Sequence, residues 1–523
     1  MAKVGESMSR DYYQKYIQKM NEQQKSETMS QSVKKAVDQN SVGVGPKSFL
    51  AQINKEVLPN DSKIELAKDE KPLTEYDLVI LGGQVVFPEF GVLKTNIGIK
   101  DGKIAKISEK LIAGKRIVHA EGKYVSPGII DPHVHLGLFN PFEVEIETET
   151  RAAIAGGVTT LGCFIASNST HQQTFPQLAS YIQEKSFVDI IPHCVIHGDD
   201  QKNEIKALIE NYGITSFKLY MNGIPGIIED VGDGYMLDVF EEIKNAGKPA
   251  LICVHTENRE LVRRGTKQVQ TDKKEGASIK DWTDTHPDMA EEEASIRLSY
   301  FAKKMGVHVY LVHLSSKGAA KTLAKIKKDN GFVHVETTSP YLSIHNESTS
   351  SFIIKMEPPF RKKEDLDALW EAIKNDTIDT IGTDNVTMTI NEKNAHASSL
   401  WEVMPGYPAV ETHLPVMLHE GVIARKIPIE NIITKMTKNP AELFGVYPQK
   451  GAIKVGSDAD IVIIDLNMKQ TVNASNLKSR SDFSLYDGWE LQGWPIMTIK
   501  GGCIAYEHGK EEVVRSQSQY IKR

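Results

Sequence analysis

The sequence predicts an α/β chain built on a (β/α)₈ TIM barrel. It also predicts a small β-sandwich made from both chain ends and an N-terminal extension that is helical or disordered. Three observations lead there. Strand-like apolar runs recur eight times between about 126 and 446, with amphipathic helical stretches between several of them, and eight is the closing number of such a barrel. Short Val/Ile/Leu runs broken by glycine-rich turns flank that region on both sides. Finally, 523 residues are too many for one small module, yet a barrel absorbs about 250 of them.

Residues 1–74 form the extension. They are rich in Lys, Glu, Gln and Ser, and Tyr13, Tyr16, Ile17 and Met20 fall at helical spacing, so a short amphipathic helix is expected around 9–37. VGVGPKSF then reads as a break. Such an extension serves either as an arm or lid towards a neighbour or simply as polar surface chain. Residues 75–125 supply the first part of the sandwich, where YDLVILGGQVVFPEFGVLKTNIGIKDGKIAKIS alternates strands with GG, PEFG and DGK turns. The same texture returns over 447–510 in GAIKVGSDADIVIIDL and WPIMTIKGGCIAYEHGK, ahead of a tail over 511–523. Chain ends commonly lie close together, so the two parts can share a sheet. In the barrel region, 126–446, strands are expected at 127–133, 158–166, 188–195, 215–220, 249–255, 307–313, 332–337 and 378–384. EEASIRLSYFAKKMG and AAKTLAKIKKDNG are two of the intervening helices.

Composition excludes several classes. The formal charge of -7, from 62 basic and 69 acidic residues, is the wrong sign for a general nucleic-acid binder. No apolar run approaches the roughly 18 residues of a membrane span, and MAKVGESMSRDYYQKY has no apolar core for a secretory signal. Cys163, Cys194, Cys253 and Cys503 form no CxxC, which points to reduced thiols in the cytoplasm.

The chemistry gathers at strand ends. His133 and His135 close the first barrel strand in SPGIIDPHVHL, and residues two apart in a strand share a face. Alone, HxH is a weak signal. Yet Lys218 ends the fourth strand, His255 the fifth, His313 the sixth and Asp384 the eighth, each after an apolar run at the end where barrel enzymes build their sites. One such histidine is usually a satisfied polar residue, a strand-end lysine usually snorkels to water, and an aspartate often caps a helix. All six sharing a mouth by chance is a much rarer event. Four imidazoles and a carboxylate suit zinc or a similar divalent ion. A cationic lysine cannot ligate a metal, but one carbamylated by carbon dioxide presents an anionic bridge able to hold two.

With SPGIIDPHVHLG, ETRAAIAGGVTT, SFKLYM, VHTEN, VHLSSKGA, HVETTSPYL, MEPPFR, IGTDN, YPAVETHLPV, NPAELFG and GSDADIVIID in this order, the chain over about 76–510 resembles the amidohydrolase superfamily. The likeness is greatest to its dihydropyrimidinase/hydantoinase branch, with allantoinases and dihydroorotases as relatives. The resemblance implies a binuclear site: His133, His135 and Asp384 on one ion, His255 and His313 on the other, and carbamylated Lys218 bridging both. It implies a cyclic amide, imide or ureide substrate whose ring is opened by metal-bound hydroxide. Asp384 would act as general base and then acid. An allantoinase-like or purine/amidine-ring hydrolase would use the same site. A non-catalytic scaffold would have lost ligands that this chain keeps. The resemblance also implies a homo-oligomer, by default a tetramer.

Departures from the family pattern fall around the substrate. Gly137 stands where dihydroorotases place an arginine, which argues against that activity. Gly223 replaces the tyrosine expected five residues after the bridging lysine, leaving Tyr220 or a backbone amide to stabilise the oxyanion. Glu357 replaces a small polar residue before the double proline. Its carboxylate either favours a substrate with N–H donors or positive charge, or pairs with a neighbour such as Arg361. Pro405 stands for an asparagine before Gly406. Ser339, Glu357, Gly406 and Tyr220 are thus the expected substrate contacts.

Overall fold

The computed structural model describes residues 76–224 and 227–523, so the extension, with its expected helix and break, lies outside the described residues. The first five strands are β1 (Tyr76–Phe87), β2 (Gly91–Lys100), β3 (Lys103–Ser108), β4 (Gly114–His119) and β5 (Tyr124–Pro127). From the other end come strands at Ile461–Thr471, Glu490–Lys500 and Cys503–Glu507. The last three join the first five in one eight-stranded sheet, β5 pairing antiparallel with Ile461–Thr471. Its core is aliphatic: Ile80, Val85, Ile97, Ile99, Ile461 and Ile499 are all buried. One expectation needs correcting. GG at 82–83 is not a turn but a bulge inside β1, where the register with β2 shifts and Asn96 Oδ1 accepts the Gly82 N–H at 2.8 Å. The extra residue is absorbed without ending the strand.

The barrel strands follow as β6 (Ile129–His135), β7 (Val158–Ile165), β8 (Asp189–Val195), β9 (Ser216–Tyr220), β10 (Leu251–His255), β11 (Val309–Leu311), β12 (Val333–Thr338), β13 (Thr380–Gly382) and β14 (Asn385–Val386). Each pairs in parallel with the next from β6 to β13, apart from the separate pairing of β14 with β6. β13 and β14 are two halves of the eighth strand, broken at Thr383–Asp384. One half bonds β12 and the other β6, which closes the ring. The strands are buried along nearly their whole length, as expected for parallel strands covered by helices. The first expected strand, 127–133, is divided at Gly128: Tyr124–Pro127 belongs to the other sheet and the barrel strand starts at Ile129. The helices Asp288–Met305 and Lys317–Ile326 cover the two stretches expected to be helical.

Two features tie the layers together. Lys450 forms ion pairs with Asp189 at the start of β8 and with Asp458 and Asp460 just before Ile461, while Lys500 reaches Asp189 at 2.8 Å. The chain after 510 also packs on the barrel. Ile190 donates to Gln519 O at 3.0 Å, Ile521 donates to Ile190 O at 2.8 Å, and Ile521 is buried.

Candidate metal centre and substrate cavity

The expected groups meet at the carboxyl end of the barrel. His135, Lys218, His255, His313 and Asp384 line one cavity, and His133 joins them from beneath: its Nε2 lies 3.1 Å from Asp384 Oδ1 and 3.2 Å from His135 Nε2. His135 Nε2 is also 3.1 Å from Asp384 Oδ1. Potential ligand atoms of His133, His135 and Asp384 all lie within 4.8 Å of one another. The rings of His255 and His313 meet edge to face at 4.5 Å, and His313 lies 5.6 Å from His133. All six residues are buried.

The backbone is bent to achieve this. His313 and Asp384 adopt φ values of 44° and 57°, a left-handed conformation unusual for residues with side chains. At Asp384 the bend is secured by Asp131, whose carboxylate accepts from Thr383 N at 3.0 Å and Thr383 Oγ1 at 2.6 Å, while Asp384 N donates to His133 O at 2.9 Å. Burial pushes the Asp131 carboxyl up to about 7, against those Thr383 bonds. The break in the eighth strand is therefore what turns Asp384 into the mouth.

Three carboxylates not singled out from the sequence orient this centre. Glu336 Oε2 lies 3.0 Å from His133 Nδ1, directing the opposite nitrogen at Asp384. Gly382 makes room for it, since a Cβ there would fall 2.1 Å from Glu336 Oε1. Glu257 Oε2 lies 2.8 Å from His255 Nε2, and its other oxygen 2.9 Å from His286 Nδ1. Asp131 is the third. Each sits inside or just after a strand motif, in HVETT, VHTEN and IIDPHVH, and acts through a neighbour rather than from a strand end.

The electrostatics describe a centre prepared for positive charge. Burial opposes ionisation of Asp384, yet His133 and His135 hold its carboxyl well below the usual range. Burial disfavours the His133 imidazolium, but Glu336 and Asp384 push it up to about 9; burial takes His135 down to about 4. One carboxylate is thus shared by a charged and a neutral ring. Buried nitrogens are left over: Nδ1 of His135 and of His313 have no hydrogen-bond partner. The Lys218 amine has none among the described residues either. It lies 4.7 Å from the ring centroids of both Phe164 and Tyr220, and burial pushes it down to about 8 against the pull of Asp384. Four imidazoles, a carboxylate, orphaned ring nitrogens and an amine made easier to deprotonate by burial are a donor set that fits divalent ions.

The four expected substrate contacts divide. Tyr220 and Glu357 line the cavity. No hydrogen bond engages the Tyr220 hydroxyl among the described residues, and its ring stacks on His255 at 5.7 Å. Ser339 and Gly406 do not line it. The Ser339 hydroxyl is taken by His413 Nδ1 at 2.8 Å, and Gly406 binds Lys355 O through its N–H and Lys393 through its carbonyl. Pro405 reaches the cavity instead. Position 223 is closed to any side chain, since a Cβ there would fall 2.4 Å from Ile228 O in the tight 224–228 bridge. Glu357 does not pair with Arg361. That guanidinium is spent on Ser315 Oγ at 2.8 Å, His286 O at 2.6 Å and Asp288 at 3.2 Å.

A buried cluster of histidines around a carboxylate, at the mouth of a closed parallel barrel joined to a two-ended β-sheet, is a candidate metal centre of the kind found in barrel hydrolases. The chain belongs to the amidohydrolase family, whose model matches residues 124–504. It is 29% identical over 460 residues to an L-hydantoinase of Paenarthrobacter aurescens, covering 86% of this chain and 98% of that one. It is also 29% identical over 474 residues to a dihydropyrimidinase of Rattus norvegicus, covering 85% and 88%. The solved L-hydantoinase (dihydropyrimidinase) from Arthrobacter aurescens superposes with a TM-score of 0.79 at 28% identity, covering 86% of this chain and all of that one.

Proposed function

We propose that this protein hydrolyses the ring C–N bond of a cyclic amide, imide or ureide. His133, His135 and Asp384 would hold one divalent ion, His255 and His313 a second, and a carbamylated Lys218 would bridge them; zinc suits these donors. The observation that carries the reading is that five of these six buried groups line one cavity and the sixth, His133, lies against Asp384 and His135, with ring nitrogens of His135 and His313 unpartnered among the described residues. Bound divalent ions supply hydroxide at neutral pH and polarise a carbonyl.

The chain's own groups account for the rest. The Lys218 ammonium releases one proton, and the neutral amine then adds carbon dioxide and releases a second to solvent, leaving a carboxylate-like anion; its depressed pKa favours the first step. Asp384, at the cavity wall, accepts the proton of the attacking water on a carboxylate oxygen and returns it to the departing ring nitrogen, which is too basic to leave unprotonated. The Tyr220 hydroxyl, unbonded and facing the cavity, donates to the oxyanion that forms on the carbonyl. Glu336 and Glu257 keep the imidazoles in register. Leu138, Phe139, Ile224 and Ile227 surround the cavity with apolar surface that limits water.

The allantoinase-like or purine/amidine-ring reading uses the same groups, and the unpaired Glu357 favours rings rich in N–H. Assaying the metal-loaded protein on hydantoin, dihydrouracil, allantoin and an oxidised purine decides among them. Ring opening of at least one supports the proposal, and turnover of none opposes it. We also propose association of copies, a tetramer by analogy with relatives. Met289, Ile296 and Tyr300, exposed on the helix Asp288–Met305, offer apolar surface for it. None of the described helices is long and apolar enough to cross a membrane.

A further inference from the structure

Glu357 is a buried carboxylate, only 8% exposed, that lines the cavity. Among the described residues nothing hydrogen-bonds or ion-pairs with it, although His286, His255 and Lys355 lie near enough to pull on its charge, with Glu257 opposing them. Each of the three is already committed elsewhere. Nearby Arg361 donates to Ser315 Oγ and His286 O and pairs with Asp288, and its Nη2 faces Glu257 and Glu291 at 3.9 and 4.0 Å rather than Glu357. His286 is held by Glu257 Oε1 at 2.9 Å. Lys355 donates to Leu400 O at 3.0 Å and Val403 O at 2.6 Å while lying 4.4 Å from the centroid of the Trp282 ring.

An ionised carboxylate only accepts hydrogen bonds, and this one opens onto the cavity with no donor among the described residues, so a ligand that brings donors is favoured. Burial raises the Glu357 carboxyl, with His286 pulling the other way, and no contact among the described residues neutralises it. Besides the histidines, Lys218 and Asp384, the cavity wall carries apolar Met356, Val386, Phe139 and Ile224. In such surroundings a charge pair gains more than it would in water, and a planar N–H fork matches a carboxylate two bonds at a time.

We propose that Glu357 is a specificity-determining residue that reads a cationic, planar amidinium or guanidinium group on the ring substrate. The word substrate rests on the ring-opening reading above; the recognition itself does not. An apolar part of the same molecule would lie against Phe139, Ile224 and Met356. Neutral rings such as hydantoin would enter but leave the carboxylate poorly matched.

The test compares benzamidine with benzamide, a cation and its near-isosteric neutral amide, by calorimetric titration into the metal-loaded protein. Wild type is expected to bind benzamidine at least about tenfold more tightly, a difference well within one charged hydrogen-bonded contact. In Glu357→Gln, which keeps shape but not charge, the preference should fall to within about twofold. Glu357→Ser provides the same reading should the glutamine variant be unstable. Equal affinities in wild type, no detectable binding of benzamidine, or a preference that survives both substitutions would overturn the proposal. Because the readout is binding, it is separate from ring hydrolysis: a protein that prefers benzamidine but opens no ring refutes the proposed function alone, and one that opens hydantoin without that preference refutes this inference alone.

Discussion

Asp384 concentrates the chemistry on one side chain. It touches both histidines of the first strand, lines the cavity, and sits in a strained left-handed conformation that only a secured backbone can maintain. Asp384→Asn should therefore lower kcat by about 10²–10⁴-fold, the usual worth of a positioned acid–base group, while circular dichroism shows an intact fold. Tyr220 is the second residue to which the proposed reaction gives a direct role. With position 223 closed to side chains, its hydroxyl is the side-chain donor left to replace the missing tyrosine. Tyr220→Phe should cost about 10²–10³-fold in kcat with a smaller change in KM, measured on whichever ring the protein opens. Loss in KM alone would assign Tyr220 to binding rather than to the oxyanion.

At the level of elements, the site is a product of where strands stop. His133, His135, Lys218, His255, His313 and Asp384 were legible in the sequence because each is a polar residue at or near the end of an apolar run, and eight such runs give one mouth. What the sequence hid are the groups acting at second hand. Glu336 lies within a strand and reaches His133 only because Gly382 on the neighbouring strand leaves space, a pairing that no spacing along the chain reveals. The split of the eighth strand was equally hidden, since TIGTDNV reads as one run. Ser339 and Gly406, expected from resemblance alone, spend their polar groups on His413, Lys355 and Lys393 rather than on the cavity. Glu336→Gln tests the hidden layer. It should weaken metal retention by about 10–100-fold, read by competition with a chelator, without touching the ligands themselves.

For the whole molecule, the barrel and the two-ended sheet are joined through a buried ionic junction. Lys450 and Lys500 lie between Asp189 of the barrel and Asp460 of the sheet, and all four are nearly inaccessible. Burial opposes the Asp189 charge, but Lys450 and Lys500 hold its carboxyl below the ordinary value. A carboxyl depressed in the folded state stabilises above its unfolded pKa, and that contribution is lost as pH falls through the folded value. Stability should accordingly decline on the acid side of the aspartate range. Lys450→Met, which strands buried carboxylates, should cost about 3–5 kcal/mol in denaturant unfolding at neutral pH. A loss below 1 kcal/mol would show that the junction is incidental. The two-part sheet was readable from matching textures at both ends of the chain, whereas the seating of Gln519 and Ile521 against β8 was not, because that tail carries too few apolar residues to announce a partner.

The most direct measurement is the ring-opening rate of the protein stripped by a chelator, set against the same sample reloaded with zinc. If six converging side chains hold divalent ions for catalysis, stripping should remove at least about 99% of the activity, as befits loss of a water-activating ion, and reloading should restore it. An undiminished rate in the stripped protein, with its metal content verified as negligible, would contradict the proposed site.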